Sequence, residues 1–188
     1  LASLPEGALR LGLTQSDLAG NASAMSPELA VLVDRTAPGA PSAPNLLDAS
    51  DTGASAIDNI TRDTRPLFSG DGGTAGDYVR LYANGVKVGS ALVAANGSWQ
   101  VTPSDALADG ALGMTVRFVD AAGNEGAASS VLGVTIDTIA PTVTGTSPGQ
   151  MGTLSDYLRV TFSENIKFGA SGQLEIKSTG GVLAHLFN

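Results

Sequence analysis

The phrase Asp-x-x-Ala-Pro occurs twice, in VDRTAP at 33–38 and IDTIAP at 136–141, and each copy offers a carboxylate at a fixed distance from a proline. Carboxylates at fixed spacing can serve as general acids or bases, as partners of a nucleophile, or as ligands for a hard cation. The other residue types decide among these. The chain has no Cys and a single His, His185, which rules out thiolate zinc sites, Cys nucleophiles and disulfides and leaves zinc and copper poorly served. No G-x-S-x-G elbow is present to host a Ser-His-Asp triad. Asp51-Thr52-Gly53 matches the aspartic protease tripeptide, yet the second copy needed to share a proton is missing. One Trp and three Tyr are too few to line a sugar groove between paired carboxylates. The chain therefore reads as non-catalytic. The remaining chemistry is oxygen coordination of calcium, which takes six to eight carboxylate, amide or carbonyl oxygens at about 2.3–2.6 Å.

Such acids must be positioned by something, and the ruler is an internal repeat. Asp34 and Asp137 lie 103 residues apart; sliding the chain by that amount lays residues 4–38 over 107–141 without a gap, with fifteen identical pairs. Among them are Asp17/Asp120, Gly20/Gly123, Asn21/Asn124 and Asp34/Asp137. Residues 1–36 then correspond to the C-terminal part of one repeat, 37–139 to a complete repeat, and 140–188 to the N-terminal part of a third, divergent one. TLSDYLRVTFSENIKF in that last piece has no counterpart in the second.

Within 37–139, alternating apolar residues broken by turn signals come every eight to twelve residues, the spacing of an all-β sandwich. Seven strands are predicted, near 44–48, 66–69, 77–83, 86–93, 97–101, 112–119 and 130–136. Asn84-Gly85 and Asn96-Gly97 predict two hairpins, because both residue types accept positive φ. Val79 and Leu81 share one face of their strand, and Met114, Val116 and Phe118 share one face of theirs. Trp99, in a strand-period context without an aromatic neighbour, is expected to anchor the core.

SDTGASAIDNITRDTRPLFSG, VRLYANGVKVGS, ANGSWQVTPSDALADG, VDAAGN and IDTIAPT, in that order, resemble the bacterial Ig-like repeats of large, secreted, calcium-dependent adhesins of the RTX, type I-secreted kind. The resemblance covers about 37–141 closely and 1–36 as the tail of a preceding copy, while VTFSENIKF resembles a related subtype more loosely. It implies an immunoglobulin-like β-sandwich of seven strands in a Greek key, joined in tandem by short Asp/Pro linkers. It further implies export without a cleaved N-terminal signal and calcium between modules. Arg35 and Ile139 each stand where the family commonly has Thr, although the linker Asp is kept in both copies.

In an immunoglobulin-type sandwich, the loops before the second and sixth strands share one end with the exit of the last strand. Asp51, Asp58, Asp109 and Asp137 are therefore expected at the exit pole, and Asp34, Asp120 and Asn124 at the entry pole, with Asp71 and Asp77 as weaker candidates there. Carboxylates crowded at a pole raise one another's pKa and destabilise the fold unless a cation joins them. Asp, Asn and Gly are also turn formers in their own right, and SGDGGTAGD lacks the ligand spacing of a twelve-residue calcium loop. The sequons at Asn21, Asn59 and Asn96 are better read as turns than as glycan acceptors.

The net charge of −8 and ten scattered Lys and Arg argue against a nucleic-acid partner. No apolar run approaches the roughly 20 residues of a membrane helix, and no charged leader opens the chain, which is expected to begin within a longer one. The expectation is an extracellular stalk module on a bacterial surface, with neighbouring repeats as partners and calcium as its ion. Distal domains would then meet a host, biofilm or surface ligand. The alternatives are a module whose own loops bind a carbohydrate or protein, or a subunit that completes its end sheets by strand exchange.

Overall fold

The computed structural model describes residues 4–53, 55–147, 159–166, 177–178 and 181–182. The chain forms two compact units, Leu1–Thr138 and Ile139–Asn188. The first opens with β1 (Gly7–Leu11) and β2 (Leu29–Val33), an antiparallel pair with Gly7 opposite Val33. There follow β3 (Asn45–Leu46), β4 (Ile60–Thr61), β5 (Phe68–Gly70), β6 (Tyr78–Ala83), β7 (Val86–Leu92), β8 (Trp99–Val101), β9 (Gly110–Val119) and β10 (Leu132–Ile136). They build a three-stranded sheet, β3-β5-β8, facing a five-stranded sheet, β4-β10-β9-β6-β7.

Alternation along the strands explains why the two sheets face each other. In β6, Val79, Leu81 and Ala83 are buried while Tyr78, Arg80 and Tyr82 turn away; in β9, Met114, Val116 and Phe118 take the inner face. Phe68 and Trp99 meet them from the smaller sheet, and Ile136 completes the cluster from β10. Trp99 is the core anchor expected of it. It fits because Gly70 stands opposite: a Cβ there would lie 2.3 Å from the Trp99 ring.

Every strand expected between 37 and 139 is present, and β4 is an eighth that the sequence did not announce. Two residues cannot display an alternation, and Ile60–Thr61 is held mainly from outside, by Thr135 N donating to Asn59 O and Asp137 N to Thr61 O. β4 runs parallel to β10, so the first strand of the sandwich is split between the two sheets, β3 in one and β4 in the other. Asn84-Gly85 is a true two-residue hairpin, with φ of 48° and 81°. Asn96-Gly97 differs from expectation. β7 and β8 belong to opposite sheets, and Ala94 N to Ser98 O closes a turn that crosses between them. Burial of Val93 and Trp99 pulls the chain out of the plane of β7 at that point.

In the second unit β11 (Val143–Ser147) pairs antiparallel with β12 (Arg159–Phe162), with an irregularity between Val143 and Gly145. β13 (Lys177–Ser178) pairs with β14 (Gly181–Val182). His185 lies outside the described residues.

Candidate functional site

The entry end of the sandwich is built where β6 begins and β9 ends. Tyr78 pairs with Val119, so Asp77 and Asp120 are brought side by side. Asp77 is buried, and its carboxyl is held above the ordinary range by that burial and by the charge of Asp120, opposed by a hydrogen bond from Thr74. Asp120 moves the other way, because its oxygens accept hydrogen bonds from Asn124 that outweigh its burial. The Asn124 backbone N–H donates to Asp120 Oδ1 at 2.9 Å and the Asn124 amide to Oδ2 at 2.8 Å. The same amide donates at 3.1 Å to the carbonyl of Asp34, the linker acid. The Asp34 side chain turns back onto its own linker and accepts from Thr36 N at 3.0 Å. Asp71, exposed at the end of β5, sits instead on the rim of a shallow depression beside Gly70 and Trp99.

At the exit end, Gly110 of β9 and Thr61 of β4 both flank Ile136, so Asp109 and Asp137 emerge together. Asp109 accepts from the Thr138 hydroxyl at 2.8 and 3.0 Å and from Thr138 N at 3.1 Å. Asp51 is buried on the segment between β3 and β4; its Oδ2 accepts from Asn59 N at 2.9 Å, and its Oδ1 is buried with no hydrogen-bond partner among the described residues. Asp58 accepts from Ile60 N at 3.1 Å and lies close to Gly53, whose missing Cβ leaves room for the Ile60 carbonyl.

Strand register sets Asp77 beside Asp120 at one end and Asp109 beside Asp137 at the other, but it does not bring the acids' oxygens into one shell. Among the described residues no three acidic or histidine side chains stand together at metal-binding distance. The donor chemistry suits calcium nonetheless. Asp51 Oδ1 is an acceptor withdrawn from water and given no donor, which is costly for a carboxylate unless a cation meets it. The Asp58 carboxylate and the Ile60 carbonyl, both close to Gly53, are hard oxygens of the kind calcium accepts.

Sequence reasoning missed one cluster. Arg80 and Arg117 lie directly opposite each other on β6 and β9, an unfavourable pairing of like charges. Glu125 resolves it. The carboxylate pairs with Arg80 at 2.7 Å and Arg117 at 3.7 Å and accepts from the Tyr82 hydroxyl, while the Arg117 guanidinium lies 5.8 Å from the centre of the Tyr82 ring. Two outward Arg residues at matched strand positions are the signal that an acid was needed there. The two hydroxyls that cap the exit acids, Thr138 on Asp109 and Thr36 on Glu6, were also missed. They use neighbouring linker positions, so the longer Glu is met one residue later along its linker.

Two facing sheets, with the first strand shared between them and acid-capped ends, define an immunoglobulin-type sandwich module. Residues 37–138, more than half of the chain, match the family model described as bacterial Ig-like domain, and the chain belongs to that family. Among solved structures, a Ca2+-stabilized adhesin that helps an Antarctic bacterium reach out and bind ice is 29% identical, with a TM-score of 0.34. The match covers 73% of this chain and 34% of that one, so this chain spans about a third of its length. Among curated proteins none matches.

Proposed function

We propose that the chain is a non-catalytic extender, a stalk piece of a large bacterial cell-surface adhesin, whose Ig-like modules are stiffened by calcium at their ends and carry a distal ligand-binding region outward. In this reading 1–36 is the tail of one repeat, 37–139 a complete repeat and 140–188 the start of a third, and the immediate partners are neighbouring repeats of the same chain. Family membership and the recurrence of Asp34 and Asp137 at equivalent positions support it. Calcium rests on one observation, the buried and unpartnered Asp51 Oδ1.

At the exit end, Asp51 and Asp58 would hold the ion, with Asp109 and Asp137 as further candidates; at the entry end, Asp34, Asp120 and Asn124 are the candidates, with Asp71 and Asp77 as weaker ones. Bound calcium would supply positive charge to the Asp51 carboxylate, one oxygen of which has no donor. A proline after each linker acid restricts the backbone on one side, and an ion at a module end would restrict it further, so that modules in series act as a rod.

Thermal melting in calcium and then in chelator tests the proposal. An ion present at about a hundred times its dissociation constant adds roughly 2.7 kcal/mol, which for a domain of this size moves the melting temperature upward by about 10 °C or more. Asp51→Asn should remove most of that response while leaving an acceptor for Asn59 N. An identical melting temperature with and without calcium would overturn the calcium reading.

A further inference from the structure

The segment Asp120-Ala-Ala-Gly-Asn124 between β9 and β10 does more than turn the chain. Its Gly123 adopts φ of 92°, Gly123 N donates to Asp120 O at 3.1 Å, and both Asp120 oxygens are engaged by Asn124. This fixes the Asn124 amide. Its nitrogen faces two acceptors, the Asp120 carboxylate and the Asp34 carbonyl, so both hydrogens are used and the side chain can point only one way. The next residue, Glu125, pins the loop to the sheet through Arg80, Tyr82 and Arg117. One residue further, Gly126 lies under the linker itself: a Cβ there would stand 2.3 Å from the Pro38 carbonyl.

We propose that this Asp-x-x-Gly-Asn box is a metal-independent clamp for the inter-module linker, in which Asn124 grips the backbone of Asp34 and Gly126 seats that of Pro38. The first copy supplies the comparison. Asp17 and Asn21 form the same box, with hydrogen bonds of 2.8 and 2.9 Å, Gly20 at φ of 89° and Gly20 N to Asp17 O at 3.1 Å. Among the described residues, the Asn21 amide meets only Asp17. The box has the same internal hydrogen bonds in both copies, so its shape is set by its own five residues. Ser23 replaces Gly126 in that copy, so an arriving linker cannot approach it as closely. The Asn contact goes to a backbone carbonyl and the Gly contact to backbone, so the clamp accepts any Asp-x-x-Ala-Pro linker regardless of its variable positions.

The clamp extends the stalk reading and is tested apart from calcium. Residual dipolar couplings are measured on the full chain in chelator, for backbone amides of residues 7–33 and of the sandwich at 45–136. In the wild type both sets should fit a single alignment tensor. Asn124→Ala should split them into two, and Asn21→Ala, which alters the equivalent box but does not touch the linker at 34–38, should not. Should Asn124→Ala disorder its loop, Gly126→Val decides, since it leaves the box's hydrogen bonds in place and obstructs only the seat of Pro38. Two tensors in the wild type, or one tensor retained in both Asn124→Ala and Gly126→Val, would overturn the clamp. The melting response to calcium is a separate readout and can fail without affecting this result.

Discussion

Glu125 shows how much can hang on a single side chain. The Tyr82 hydrogen bond, then Arg80 and Arg117, hold its carboxyl below the ordinary glutamate range, and burial opposes them. A depressed folded pKa contributes stability that is present above the unfolded value and is lost as pH falls through the folded one. Glu125→Gln should therefore cost about 1 kcal/mol near neutral pH, since the cluster is about one-third exposed. The gap between wild type and variant should then close as the pH is lowered below the ordinary glutamate range. Urea melts at a series of pH values check this, and a gap that stays constant down to strong acid would show that the ion pairs contribute nothing. The linker acids were legible at this scale because the repeat displayed them twice. Asp51 Oδ1 was not, because burial of one oxygen depends on residues from β4 and its approach.

The hairpin of β6 and β7 was written in the sequence and folds as written. Asn84 sits at φ of 48°, where most residues are strained, and its side chain also accepts from Gly113 N at 2.8 Å, tying the turn to β9. Asn84→Ala should cost about 2–3 kcal/mol, combining the left-handed penalty with a lost hydrogen bond. The urea midpoint should fall with little change in slope; a much shallower slope would mean that the variant no longer unfolds as one unit. β4 and the crossing at 94–98 were hidden for a common reason. A two-residue strand has no period, and a turn sequence states how the chain bends without stating which sheet receives the next strand.

The division after Thr138 sets the behaviour of the molecule under heat. A fragment ending at Thr138 should melt at the same temperature as the matching transition of the full chain, within about 1 °C, because each unit buries its own contacts. Calorimetry of both forms would show this, and a large drop on truncation would mean that the units stabilise each other.

The sequence by itself determined the class of strand pattern, the repeat and the absence of thiol chemistry. Those properties follow from alternation, turn propensity and composition, which are local and can be read along the chain. The tertiary structure alone decided that Asn124 reaches a carbonyl ninety residues away and that Asp51 keeps an oxygen without a donor. Each of these depends on which distant segment packs opposite, and a side chain's hydrogen bonds and burial are set by that neighbour rather than by its own type.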